Sequence, residues 1–163
     1  MGKDRGFTLI ELMIVVAILA ILLTVAVPNF GPFVQTNRMD SIQNGLVASI
    51  SLARAESIRQ DVNVTVCARN TTNVNSCGTS WANGWAVIAN SAALRVGDAP
   101  AAQITVTGSS ITFESSGLLS GGSDVCFSAD DGDSSTEVRY IQVTQFGRIR
   151  AWDGATDDSV CGS

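Results

Sequence analysis

GFTLIELMIVVAILAIL, residues 6–22, holds a single charged side chain, Glu11, within an apolar run that extends from Phe7 to Val27. A helix over those residues rises about 1.5 Å per residue and reaches roughly 30 Å, the thickness of a bilayer's hydrocarbon core. A secretory signal carries a shorter apolar region of roughly 7–15 residues before its cleavage site. Thr24 and Ala26 imitate such a site, which leaves simple secretion as an alternative. Lys3 and Arg5 precede the run, and the next basic residue is Arg38. The positive-inside bias therefore puts the amino terminus in the cytoplasm and exports the rest of the chain.

A carboxylate in such a helix needs an account. One is that Glu11, near the helix start, reaches the headgroups. The other requires a partner cation. Cutting between Gly6 and Phe7 creates an α-amino group at Phe7, which a neighbouring copy can set against Glu11 in the low dielectric of a packed helical bundle.

The stretch GFTLIELMIVVAILAIL resembles the prepilin signal of type IV pilins and type II secretion pseudopilins, with Gly6 before the cut, Phe7 as first mature residue and Glu11 as the mature fifth. The resemblance implies that a prepilin peptidase removes residues 1–6 and methylates the new amine. It also implies that Glu11 guides the subunit from membrane lipid, through an inner-membrane assembly platform, into a filament of other minor and major pilins. The whole chain carries 10 basic and 15 acidic side chains, and losing Lys3, Asp4 and Arg5 leaves eight and fourteen, a balance of about −6. Every remaining cation is an arginine, and this acidity argues against general coating of nucleic acid.

Beyond the anchor, Pro28, Gly31 and Pro32 predict a bend. Apolar spacing of three and four then resumes at Met39, Ile42, Leu46, Ile50 and Ala53, with Arg38, Asp40, Gln43, Arg54 and Glu56 elsewhere on the helix surface, and predicts a helix ending near Arg59 or Gln60. The period changes to two at Val62, Val64 and Val66. Further strands are expected at Trp85 to Ala89, Leu94 to Val96, Ile104 to Val106, Ile111 to Phe113, Val125 to Ser128, Val138 to Thr144 and Arg148 to Trp152, with linkers rich in Gly, Ser, Asn and Asp. The fold class is α+β, one helix against antiparallel sheets.

ARAESIRQ before the first strand, then GWAVIAN, ITFESSGL and FGRIRAW, are together similar to the GspH/FimT group of minor pilins and minor pseudopilins. The resemblance implies a pilin fold whose long amino-terminal helix has a transmembrane half and an amphipathic half. It implies four segments: a leader at 1–6, a transmembrane and assembly helix at 7–27, a bend and amphipathic helix at 28–60, and a periplasmic or extracellular β-domain at 61–163. Gly84 and Trp85 would start a central hairpin, and Gly117 would end a strand at a turn. The function implied is a structural subunit that primes or caps a type IV pilus, at the pilus tip or cell surface after export, or one that serves as a minor pseudopilin of type II secretion.

Four cysteines in an exported domain point to disulfides. Three pairings are open; Cys67–Cys77 with Cys126–Cys161 is favoured, because each half of the domain then closes its own loop. The chain has no histidine and no C-x-x-C pair, which speaks against a zinc site. Without a histidine base, nucleophile elbow or phosphate loop, neither catalysis nor a cofactor is expected.

GRIR, residues 147–150, is the sharpest candidate for binding chemistry. On one strand Arg148 and Arg150 share a face about 7 Å apart and can engage successive phosphates, with Trp152 on the same face to stack on a base. GRIR resembles the GRxR element associated with DNA binding in FimT pilins of natural transformation, which implies DNA as a partner. The alternative is a glycine turn followed by a charged strand edge that discourages aggregation. Arg69, Arg95 and Arg139 extend a basic patch only if the fold gathers them, and Asp153, Asp157 and Asp158 oppose phosphate. Asp130, Asp131 and Asp133 have the oxygen ligands calcium takes, without the EF-hand spacing, and a solvated turn is the competing reading. The tryptophans Trp81, Trp85 and Trp152 are expected to pack in the core or at its rim.

Overall fold

The computed structural model describes residues 7–26, 30–133 and 136–154. The chain divides into two compact units, Met1–Thr36 and Asn37–Ser163. In the first, helix α1 spans Leu9–Ala26, 18 residues. From Phe7 to Leu22 every side chain is exposed, so an all-round apolar helix waits for lipid or other helices to cover it. Among the described residues no helix is long and apolar enough to cross a membrane. The 18 residues of α1 rise only about 27 Å; Val27, the end of the expected span, and Pro28 in the expected bend lie outside the described residues.

Helix α2 spans Phe30–Gln60. It stops where Asp61 turns to a positive φ of 54° and the Val62 N–H donates back to the Ser57 carbonyl at 3.3 Å. That left-handed closure satisfies one of the orphan carbonyls at the helix end. It also takes the Val62 amide, so strand β1 begins at Val64 rather than Val62.

The strands are β1 Val64–Ala68, β2 Trp85–Ala89, β3 Ala92–Val96, β4 Thr105–Gly108, β5 Ile111–Phe113, β6 Val125–Asp130, β7 Val138–Val143 and β8 Ile149–Gly154. They form two four-stranded sheets, β3-β2-β1-β5 and β4-β6-β7-β8, antiparallel throughout. All eight expected strands are present, with ends shifted by one or two residues in most. The result is the α+β pilin fold expected from the sequence.

One core joins helix and sheets. Met39, Leu46, Ile50 and Ala53 of α2 are buried with Val64, Val66, Val87 and Phe113 of one sheet and Val106, Phe127, Ile141 and Val143 of the other. Each large aliphatic among them contributes about 1.5–3 kcal/mol by leaving water. Trp81, in a short 3-10 turn at Trp81–Asn83, meets Phe127 edge-on at 5.3 Å and donates its indole N–H to Gly108 O at 2.9 Å. Trp85 is likewise buried and donates to Ser49 Oγ at 2.8 Å.

Cys67 and Cys77 form a disulfide across a sequence separation of 10. Closing a loop of that size stabilises the domain by about 2–3 kcal/mol. Cys126 is also disulfide-bonded; Cys161, its expected partner, lies outside the described residues.

Candidate assembly helix and arginine hairpin

The first turn of α1 is closed by its own side chains. The Thr8 N–H and hydroxyl both donate to Glu11 Oε2 at 2.8 Å, and the Glu11 N–H donates to Thr8 Oγ1 at 3.3 Å. This is a reciprocal capping box that satisfies two amides a helix start leaves orphaned, worth about 1 kcal/mol. The T-x-x-E spacing of residues 8–11 is its signature in the sequence, set inside the apolar run. Phe7 is 92% exposed beside this turn. Gly6 lies outside the described residues.

The second candidate is the β7–β8 hairpin. The Gly147 N–H donates to Thr144 O at 2.7 Å, and the Thr144 N–H donates to Arg148 O at 2.9 Å. Gly147 has a φ of +73°, and a Cβ there would stand 2.6 Å from Gly117 O and 2.7 Å from Arg54 Nε. Only glycine fits both the backbone angle and the space. Arg54, expected on the helix surface, is partly buried and reaches across to two turns. Its guanidinium donates to Gly117 O at 3.1 Å, Gly147 O at 2.8 Å and Phe146 O at 3.0 Å. A planar fork of five donors suits this bridging of two turns, where a lysine would not.

β8 is an edge strand; Arg150 lies on it and Arg148 in the turn just before it, rather than both on one strand face as expected, and both are exposed. Neither guanidinium makes an ion pair or hydrogen bond among the described residues. Alternation puts Arg150 and Trp152 on one face, opposite Gln142 and Tyr140 of β7. The Trp152 ring is half-buried and stacks on Tyr140, centroids 5.5 Å apart and planes 18° from parallel. One side of that ring is therefore already occupied by protein.

The wider basic patch does not form. Arg139 faces the helix, is only 6% exposed and bridges Asp40 at 2.8 Å and Asp153 at 3.3 Å. Asp153 is accordingly paired rather than set against a ligand of Arg150, while Asp157 and Asp158 lie outside the described residues. Arg95 belongs to β3 in the other sheet, and Arg69 follows β1, its Nε buried without a hydrogen-bond partner among the described residues.

The acidic turn behaves as a turn. Asp130 Oδ1 accepts the Gly132 N–H at 2.8 Å and Asp131 Oδ1 accepts the Asp133 N–H at 3.1 Å. Each carboxylate folds back on its own loop, as short acids at turns do. Among the described residues no group of three or more acidic, cysteine or histidine side chains is placed to hold a metal ion.

A folded α+β domain carried on an apolar helix with one acid in its first turn defines a pilin-like subunit. The chain belongs to the family described as Type II transport protein GspH, which matches residues 43–147, and residues 1–27 match the prokaryotic N-terminal methylation motif. Family and fold are those of pilin-like structural proteins. The type IV major pilin protein PilA of Myxococcus xanthus is 50% identical over 46 residues, 28% of this chain and 21% of that protein. A fimbrial protein of Moraxella nonliquefaciens is 42% identical over 57 residues, 33% of this chain and 37% of that one. The chain thus spans roughly a fifth to two fifths of the length of these relatives. The crystal structure of the type IV minor pilin FimU of Pseudomonas aeruginosa shares the fold, with a TM-score of 0.59, 24% identity, and coverage of 74% of this chain and 92% of that one.

Proposed function

We propose that the chain is a minor pilin, a noncatalytic subunit held in the inner membrane by residues 7–27 with its folded unit in the periplasm, then taken into a type IV pilus whose assembly it helps to prime or cap. The observation that carries the reading is the single carboxylate, Glu11, in the first turn of a helix without other charge, exposed from Leu9 to Leu22, in a chain with a GspH-family domain. In this account the prepilin peptidase cuts between Gly6 and Phe7 and methylates the new amine. Glu11 then leaves its Thr8 contacts to meet a neighbouring subunit's amine, where the low dielectric between packed helices strengthens the pair. Helices without other charge supply the filament core, and the domain makes side contacts with other minor and major pilins. The names of the two curated relatives, a pilin and a fimbrial protein, support the pilus over other machines.

The family description, type II transport, favours a second assembly, in which the same subunit enters a short periplasmic pseudopilus. Deleting the gene separates the two. Loss of surface pili with enzyme secretion intact is the outcome for a minor pilin, and loss of secretion with pili intact is the outcome for a pseudopilin.

A further reading, DNA reception during uptake, rests on Arg148 and Arg150, exposed and unpaired among the described residues, one in the turn before an edge strand and one on it. Titrating the full-length chain in detergent with DNA tests it. Binding that weakens with salt and disappears in Arg148→Gln, Arg150→Gln supports phosphate contacts, since neutralising phosphates releases counterions. No binding by the folded chain leaves the arginines as a charged edge.

A further inference from the structure

A groove of about 510 Å³ opens between α2 and the turn after β3, with Arg38, Ser41, Trp85, Arg95, Val96 and Asp98 in its lining. Its floor is the indole of Trp85, 5% exposed and fixed by the bond to Ser49. Gly45 and Gly97 flank the ring so closely that a Cβ would stand 3.1 Å and 2.1 Å from ring atoms. The floor is therefore rigid, and neither wall can take a larger residue without filling the groove or moving the ring.

Arg38 and Arg95 are exposed, and neither makes an ion pair or side-chain hydrogen bond among the described residues. Other arginines of the domain are engaged: Arg54 with carbonyls, Arg59 with Glu56, Arg139 with Asp40. With Asp98 alone as countercharge, the lining carries net positive charge in a chain of net charge −5. The groove also meets a sheet edge at its Val96 end, the other end of that edge being capped where the Ala93 N–H donates to Asn75 Oδ1 at 2.9 Å. β3 ends its sheet, and Val96 on it is 41% exposed. The Gly97 N–H donates to Trp85 O at 2.8 Å, so strand alternation turns the Val96 N–H and C=O to the open side.

We propose that this groove is a docking site for an extended, carboxylate-bearing segment of another filament subunit. Its backbone would pair with the edge of β3 at Val96, and its acids would meet Arg38 and Arg95. Edge pairing supplies affinity, and the alternate side chains of an added strand supply selectivity. The two guanidinium groups, held about one groove apart on different elements, select acids over neutral residues at two positions. The inference rests on the assembly reading and names the chemistry of one of its contacts.

The test places the photo-crosslinker p-benzoylphenylalanine at Val96 of the full-length chain in cells that build the filament, with Ser116 as a control at the other end of the domain. Products are scored in membrane and filament fractions. The expected result is a crosslink from position 96 to an aspartate- or glutamate-bearing peptide of a second subunit that has its own methylation motif. Arg38→Gln with Arg95→Gln lowers the yield about fivefold, as the loss of two charge pairs near the surface predicts, and Arg38→Lys with Arg95→Lys restores much of it. Incorporation into filaments without a crosslink at 96 overturns the proposal, as does a yield that the glutamine pair leaves unchanged. A crosslink to nucleic acid or to a protein outside the filament also overturns it. If the wild-type chain is missing from filaments, the assembly reading fails, and a membrane-fraction crosslink with the same charge dependence still upholds the groove.

Discussion

The guanidinium of Arg54 donates to the carbonyl of Gly147 at 2.8 Å, across 93 residues of sequence, and the same side chain holds Gly117 O and Phe146 O. One helix residue thereby fixes the turn that presents Arg148. Replacing Arg54 with alanine leaves three carbonyls without this donor and lowers unfolding free energy by about 2–3 kcal/mol. Arg54→Lys keeps the charge but not the fork and recovers less than half of the loss. Urea unfolding of both variants checks this; a lysine variant as stable as wild type contradicts the account.

Gly147→Ala meets the Gly117 carbonyl on one side and the Arg54 guanidinium on the other. Its left-handed angle costs about 1–2 kcal/mol in any residue with a Cβ, and the 2.6 Å approach to Gly117 O adds a clash. Gly132 also has a positive φ, of 75°, but faces open space. Gly132→Ala should therefore cost about 1 kcal/mol and Gly147→Ala clearly more, measured as a difference in thermal or chemical unfolding.

These two sites mark where the sequence is legible and where it is not. The apolar spacing from Met39 to Ala53 and the alternation of Val64 and Val66 specify which faces are buried, because burial acts on side-chain type directly. Arg54 carries no such mark. Its partners are main-chain carbonyls of two turns, identical in chemistry at every residue, and only the fold brings them under the helix. In the sequence Arg139 is open for the same reason. Alternation along β7 turns it toward Asp40 on α2, and the condition for a wider basic patch, that the fold gather the arginines, is not met. The Thr8–Glu11 box is the opposite case, fully written in local spacing.

Removing Arg139 leaves Asp40 and Asp153 facing each other without their shared cation. Both carboxylates are 45% exposed, which reduces the penalty below that of a fully buried pair. Arg139→Met is expected to destabilise by about 2 kcal/mol, and Asp40→Asn in the same chain should recover part of it. A double-mutant cycle with no coupling contradicts the tie.

Glu56 provides a pH dependence of known sign. Hydrogen bonds from Arg59 and Gln60 hold its carboxyl below its ordinary 4.5. A carboxylate whose folded value lies below its unfolded one stabilises the fold above the unfolded value, and the contribution disappears as pH falls through the folded value. The stability difference between wild type and Glu56→Gln should accordingly be constant from neutral pH down to about 5, and shrink at lower pH. A gap that widens on acidification contradicts this assignment.

The central claim is that Glu11 serves assembly. Thr8 donates twice to its carboxylate within one chain, so the acid has a partner before any second subunit arrives. The most direct measurement quantifies Glu11→Ala in membranes and in sheared filaments, with wild type alongside. The account predicts unchanged leader cleavage and membrane content, with at least a tenfold drop in filaments, the effect of roughly 1.4 kcal/mol or more lost per incorporation. Wild-type incorporation of Glu11→Ala contradicts it.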